Sequence, residues 1–348
     1  MDKLINGIVN PLDKILQMKI QKRLDDLTKP VGSLGYLETL AMQYCLCRND
    51  ENASINKKML YVFAGDHGIT DEGVAPYPKG VTIQMVNNIL NGGAAVSVMC
   101  QTANVWYNVV NMGIDGIIED HPKYLSYPVA SCTQNFSKMA AMSKGQCLKA
   151  LNTGCSIAFL TECDLYAIGE MGIGNTTSAS ALASLLLKED PQETVGMGTG
   201  ANGYVLNKKC DVIVKSVMLH QEKWDGSAFD ALRRLGGFEI AGMAGFILGC
   251  AKKRVPVIID GFIATVSALC ALKMNPVAKE YMIFGHVSNE QYHSKLLQKM
   301  NARPLLSLDM RLGEGTGAVL AMHIVEQAMA CYNKMATFSS AGVSNRSD

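Results

Sequence analysis

Six short apolar runs, each separated from the next by other segments, set the limits on what this chain can fold into. Residues 58–64, 104–111, 164–168, 255–259, 281–284 and 305–308 read as buried strands. Between them, residues 81–90, 178–187, 239–252 and 262–272 carry helical spacing. Runs alternating with helices build a largely parallel sheet with right-handed crossovers. Five of the six runs are followed closely by glycine and a polar group, so one edge of the sheet gathers those groups. Open α/β sheets bind ligands along that edge.

Composition narrows the class. A chain of 348 residues with 48% hydrophobic content and 32 glycines suits a turn-rich α/β enzyme. A net charge of +1 favours neither nucleic acid nor an anionic membrane as partner. The eleven cysteines contain no Cys-x-x-Cys pair, which reads as reduced, mostly buried thiols in a cytoplasm. The start, Met1-Asp2-Lys3-Leu4-Ile5, has no cleavable apolar core, and the most apolar helical stretch, 238–250, is too short to span a bilayer. The first 55 residues or so read as polar helix broken at Pro30, packing outside the main sheet; the tail from Thr337 reads as polar and frayed.

Three stretches carry candidate chemistry. The first is Leu308-Asp309-Met310-Arg311-Leu312-Gly313-Glu314-Gly315-Thr316-Gly317, a strand-to-helix turn that holds the carboxylate of Glu314 between glycines. The second is Gly172-Ile173-Gly174-Asn175-Thr176-Thr177-Ser178, which opens a helix rich in small residues. Its unpaired amides and hydroxyls can cradle a phosphate, although it is neither a Walker A loop nor a dinucleotide fingerprint. The third, Gly196 to Gly203, is a second glycine-hydroxyl loop, with Lys208 and Lys209 behind it as candidate cations. Two such loops favour a monophosphate ligand. Each also has a plainer reading, a solvated turn or a capped helix without ligand.

The remaining signals are weaker. His67 in Gly65-Asp66-His67-Gly68 reads as a structural Asp–His pair bracing a turn before it reads as a base or metal ligand. His286 and His293 fit no metal spacing. Tyr77 and Gln84 flank a rigid turn and helix start, and can border a flat apolar ligand or merely pack on the surface. A Gly-x-Ser-x-Gly elbow is absent, which disfavours serine hydrolysis.

Taken in order, several motifs resemble the nicotinate-nucleotide:5,6-dimethylbenzimidazole phosphoribosyltransferases (the CobT family) almost end to end. They are Lys29-Pro30-Val31-Gly32-Ser33-Leu34-Gly35, Ala64-Gly65-Asp66-His67-Gly68-Ile69, the Glu170 to Ser178 stretch, Gly236-Gly237-Phe238-Glu239-Ile240, Asp260-Gly261-Phe262 and Arg311-Leu312-Gly313-Glu314-Gly315-Thr316-Gly317. The resemblance implies a Rossmann-like six-stranded, mostly parallel sheet in a large domain at 58–317. It implies a small helical domain from the two termini, 1–57 and 318–348, and a dimer, homo- or hetero- with a related subunit. It implies phosphoribosyl transfer from nicotinate mononucleotide to an aromatic base, with no metal or other cofactor. Glu314 would then be the base, and Glu170 would stabilise the ribosyl cation or bind ribose hydroxyls. Gly172, Gly174, Asn175, Thr176, Thr177, Gly200, Lys209, Asp260, Ser288 and Gly313 would hold the mononucleotide. Tyr77, Gln84, Met171 and Leu312 would line the acceptor pocket.

Departures from the family pattern stand at Ala75 with Pro76, Met197, Gly203 and Tyr292. They leave the catalytic positions intact and put the acceptor in question: a benzimidazole, with phenols accepted unusually well. A structural subunit without activity is disfavoured by intact Glu170 and Glu314. A nicotinamide-dependent oxidoreductase is disfavoured by the missing fingerprint.

Overall fold

The computed structural model describes residues 13–344 apart from 199, 201 and 202. The opening Met1–Ile5 segment, the end of the tail, and Thr199, Ala201 and Asn202 of the second glycine loop lie outside the described residues. The main sheet has six parallel strands in the order β3-β2-β1-β4-β5-β6. They are β1 (Lys58–Gly65), β2 (Trp106–Gly113), β3 (Tyr124–Ser126), β4 (Leu165–Met171), β5 (Val257–Ile259) and β6 (Met282–Phe284).

β1 is buried along its whole length, as expected for a central strand covered on both faces. Alternation sends Tyr61 and Phe63 to one side and Leu60, Val62 and Ala64 to the other. On the first side Phe246, from the Phe238–Lys253 helix, meets Tyr61, Phe63 and Tyr166 at ring separations of 5.1–5.7 Å. That helix lies tightly on the Lys144–Ile157 helix, because a side chain at Gly154 would run into the carbonyl of Gly242. On the second side Ile20, Leu24, Leu40 and Tyr44 of the Lys14–Asp26 and Tyr36–Arg48 helices join Val319, Met322 and Val325 of the Thr316–Lys334 helix. These terminal helices share one apolar cluster with that face of the sheet.

The number and direction of the strands agree with the sequence reading, but their membership differs. β3 is three residues at an edge, too short for an alternating pattern to show. The expected sixth strand supplies instead β8 (Leu306–Ser307), which pairs with β7 (His286–Val287) in a separate two-stranded sheet. Gly285 ends β6 with its amide on the carbonyl of Ile259 at 2.8 Å, so the chain beyond it turns out of the main sheet. The tail is more ordered than its polarity suggests. Leu27 bridges to Thr337, and Thr337 caps a last helical turn, Phe338–Ala341. No helix among the described residues is long and apolar enough to cross a membrane.

The topology fixes where a ligand belongs. From β1 the chain runs outward to β2 and β3, then returns to β4 on the other side of β1. The switch point therefore lies between the carboxyl ends of β1 and β4, at Gly65-Asp66-His67 and Glu170-Met171-Gly172. Gly172 keeps the two ends together, since a Cβ there would strike the carbonyl of Gly65.

Candidate active site

Two strand-to-helix turns meet at this switch point, and they differ in how their helices begin. The Asn175–Leu187 helix starts after Gly174, which is left-handed at φ 97° and, as a glycine, brings no capping side chain to the first turn. Its N-terminal end, with the Thr176 hydroxyl beside it, faces a cleft. The wall of that cleft includes Glu170, Gly172, Asn175, Thr176, Gly198, Ser288, Arg311 and Gly313. The Asn175 and Thr177 amides already bond the carbonyls of Gly172 and Gly174 at 3.2 and 3.1 Å, so the Thr176 amide and hydroxyl and the positive end of the helix are what suit an anion there.

The Thr316–Lys334 helix begins differently. Its turn runs through three consecutive left-handed residues, Gly313 (φ 85°), Glu314 (φ 62°) and Gly315 (φ 92°). Such a conformation is uncommon for a glutamate and costs of order 1–3 kcal/mol unless the surroundings enforce it. Here the Glu314 amide donates to the carbonyl of Glu170 at 3.2 Å, and the Thr316 hydroxyl donates to the carbonyl of Gly313 at 2.9 Å. Asp260, at the end of β5, accepts from Gly315 at 3.1 Å and from Ala318 at 2.9 Å, one on each oxygen. The amide of Gly317 also donates to it. The protein thus fills this helix start with its own carboxylate and leaves the neighbouring one open.

Glu170 and Glu314 are both buried. Burial, then the charge of Asp260, pushes Glu170 up to about 8, and the same two causes push Glu314 up to about 7. Glu170 also feels Glu239 and Glu314, while the Asn175 amide donates to its Oε2 and pulls the other way. The other oxygen lies against Gly313, where any side chain would enter the carboxylate. Glu314 is not itself on the wall of the cleft; it lies one residue beyond Gly313, and its Oε2 has no hydrogen-bond partner among the described residues. A buried carboxylate oxygen without a partner is costly, and active sites are where that cost is tolerated.

The second glycine loop folds over the open helix start. The Gly198 Cα carries no side chain, and one would press on Thr176 and come within 3.3 Å of Lys209 Nζ. Lys209 is buried and donates to the carbonyl of Gly196 at 2.8 Å. Burial pulls its ammonium down to about 8, opposed by the nearby Glu290 carboxylate. Arg311 donates to the Gly198 carbonyl at 3.3 Å, and the Gly198 amide donates to Glu290. Lys209 therefore braces the loop from behind.

Several expected site residues come together, and others do not. Glu170, Met171, Gly172, Asn175, Thr176, Ser288, Leu312 and Gly313 line one cleft. Gly174 and Thr177 lie beneath it in the helix start. Gly200 is in the loop, its amide on the Met197 carbonyl at 3.1 Å. Asp260 has both oxygens engaged by backbone. Tyr77 is 52% exposed and Gln84 is exposed; neither is on the cleft wall. Gln84 stands on the Val81–Leu90 helix, whose Thr82 hydroxyl accepts the Ile173 amide at 3.1 Å. Ala75, Pro76 and Tyr292 are also off the wall, and Tyr292 is buried beside Glu189 and Lys295. Sequence reading missed Glu290, His286 and Phe262 as wall residues. His286 and Glu290 stood in the stretch that gave only Ser288 as a site residue, and Phe262 stood in the Asp260-Gly261-Phe262 motif that gave only Asp260.

His67 is paired, but with a different partner from the one its neighbours suggested. Its Nε2 lies 2.6 Å from Glu239 Oε1, with both side chains fully buried. Asp66 instead accepts the Asp115 amide at 2.9 Å. Adjacent residues on a strand end point apart, so the Asp-His dipeptide could not form the pair itself. His293 is a structural residue: its Nδ1 accepts the Ser288 amide at 2.8 Å, Nε2 lies 2.9 Å from the Thr265 hydroxyl, and burial pulls it down to about 3.

A parallel α/β sheet with an anion-ready helix start and paired buried carboxylates at its switch point defines a protein that handles a phosphorylated small molecule. The chain belongs to the phosphoribosyltransferase family whose model matches residues 9–343. It is 44% identical over 343 residues to the nicotinate-nucleotide–dimethylbenzimidazole phosphoribosyltransferase of Chlorobaculum parvum, covering 98% of this chain and 97% of that one. The enzyme of the same name from Photobacterium profundum is 42% identical, over 93% of this chain and 95% of its own. The crystal structure of CobT from Thermus thermophilus superposes with a TM-score of 0.91 at 37% identity, covering 95% of this chain and all of that one.

Proposed function

We propose that the protein transfers phosphoribose from nicotinate mononucleotide to an aromatic nitrogen base of the dimethylbenzimidazole type, releasing nicotinate and an α-ribotide. The observation that carries this reading is Glu314, a buried carboxylate with an unpartnered oxygen, raised to about 7 beside an open helix start. The mononucleotide phosphate rests on the Gly174–Thr177 turn under the Gly196–Gly198 loop. That places the ribose near Glu170 and Gly313.

Chemistry then follows from the charges. Nicotinate leaves with the electron pair of its glycosidic bond, which neutralises its ring nitrogen and needs no general acid. The anomeric carbon becomes cationic as it leaves. Glu170, largely protonated in the free protein at neutral pH, ionises more readily once that cation is beside it, and stabilises it. A ring nitrogen of the acceptor attacks from the opposite face. The proton on its second nitrogen passes to the Glu314 carboxylate, which is basic enough to take it near neutral pH. No step calls for a metal or redox group.

The eleven free thiols fit a reducing cytoplasm. We read the molecule as a dimer, of identical or related subunits, built from a large domain at 58–317 and a small one from both termini. The deciding assay mixes the protein with nicotinate mononucleotide and either dimethylbenzimidazole or p-cresol. Stoichiometric nicotinate and α-ribotide support the reading; no nicotinate release with any acceptor overturns it.

A further inference from the structure

The reaction scheme above leaves Asp260 without a task, although it is buried and central. Its two oxygens take the amides of Gly315, Gly317 and Ala318, the donors that a helix start otherwise offers to solvent or ligand. The turn so held is the one in which Glu314 stands in a left-handed conformation between two glycines. Gly169 has no side chain, and one there would collide with Glu314 and Gly315 backbone, so the turn is pressed against β4 as well. Two clamps, the Glu170 carbonyl on the Glu314 amide and the Asp260 carboxylate on the following amides, over-determine the strained residue.

We propose that Asp260 is a positioning residue that acts through Glu314: it fixes the turn carrying the base and does not bind the mononucleotide. This rests on the reading of Glu314 as the base. The groups facing the pair are few. Glu170 from β4 bears on both, His286 from β7 lies 3.7 Å from Asp260, and Glu239 acts on Glu170 from its helix. A carboxylate at Asp260 thus has two consequences that a ligand contact would lack. It holds Glu314 in place, and its charge keeps Glu314 from ionising early.

The test uses Asp260→Asn, Glu314→Gln and the double variant, with kcat, mononucleotide dissociation constant and pH profile measured for each. Asp260→Asn is expected to lower kcat by about tenfold to a hundredfold, the scale of a displaced catalytic group. The acid limb of kcat should move below its wild-type position, and mononucleotide affinity should stay within about threefold. In the Glu314→Gln background Asp260→Asn should cost little more, because both act through one group. Amide exchange gives a readout in the unaltered protein. Gly315, Gly317 and Ala318 should be protected more strongly than Thr176, at the helix start whose N-cap is a glycine.

Weakened mononucleotide binding with the acid limb in place would make Asp260 a ligand contact and overturn the proposal. So would unprotected amides at Gly315 and Ala318. Wild-type turnover in Glu314→Gln is a separate failure: it removes the base itself, whatever Asp260→Asn does.

Discussion

The backbone amide of Glu314 donates to the backbone carbonyl of Glu170 at 3.2 Å, so the two carboxylates hang from segments bonded directly to each other. One segment ends a central strand and the other begins the Thr316–Lys334 helix. The spacing of the two backbone segments is therefore set by main-chain geometry, which helps a site hold its groups ready.

Replacing Glu314 by Gln should leave the cooperative melt intact and remove most turnover. General-base contributions are typically on the order of a hundred- to ten-thousand-fold. The wild-type kcat profile should rise through a limb near pH 7, because the carboxylate must be ionised to accept a proton and burial holds it up to about 7. In the variant that limb should be gone. A Glu314→Gln protein with unchanged kcat removes the assignment.

Glu170 should leave its mark on stability. Its folded value is about 8, above the ordinary 4.5 that it regains on unfolding. The folded protein thus keeps a proton that the unfolded chain has lost. Its stabilising contribution is full below about pH 4.5 and drains away as pH rises towards 8. Glu314 acts in the same direction up to about 7. Glu170→Gln, which stays neutral, should therefore lose less melting temperature than wild type between pH 6 and 9. Parallel curves for the two proteins would show that Glu170 is not held protonated.

Much of this site was legible in the chain, for physical reasons. Glycines at 172, 313 and 315 and the hydroxyls at 176 and 177 are demanded locally by the turns, so sequence shows them. Glu314 stood out as a carboxylate between glycines at a strand-to-helix turn, although a solvated turn reads the same way until the ordered motifs are set beside it. The partnership of His67 with Glu239 was hidden, since 172 positions separate them and only tertiary packing brings them together. Asp260 was placed in the site on the family motif, but its bonds to the Gly315 and Ala318 amides were not visible, because carboxylates on ligand and on backbone look alike in sequence. β3 was missed for lack of length, and β8 pairs outside the main sheet because the chain turns away after β6 at Gly285, whose effect on direction no hydrophobic pattern records.

Gly313 offers a steric test. At φ 85° it tolerates a side chain poorly, and a methyl group there would enter the Glu170 carboxylate. Gly313→Ala should cut kcat/KM by at least tenfold while Gly342→Ala, also left-handed but in open space, leaves it unchanged. Equal activity in both variants would place the cleft elsewhere.

Lys209 is the loop's brace, so Lys209→Ala should loosen Gly196–Gly198 over the open helix start. Mononucleotide affinity is expected to fall at least tenfold, and acceptor affinity by much less. Calorimetry with each ligand alone makes the comparison. Equal losses for both would mean a general unfolding of the site.

The acceptor preference follows from where the proton has to go. A benzimidazole attacks through a neutral nitrogen, and the ring is already positive when its second nitrogen gives up its proton, so a base near 7 takes it readily. A phenol must lose its proton as it attacks, and its ordinary value near 10 lies roughly three units above Glu314, about 4 kcal/mol uphill. The departures at Ala75, Pro76 and Tyr292, from which the sequence led to an expectation of unusually good phenol use, stand off the cleft wall, so that expectation gives way to the proton balance. Dimethylbenzimidazole should therefore exceed p-cresol in kcat/KM by a hundredfold or more, with the p-cresol product small but measurable when it is the sole acceptor. The check is a competition reaction with the α-ribotides separated by chromatography. Comparable yields of the two products would mean that the phenol proton is taken by a stronger base than Glu314.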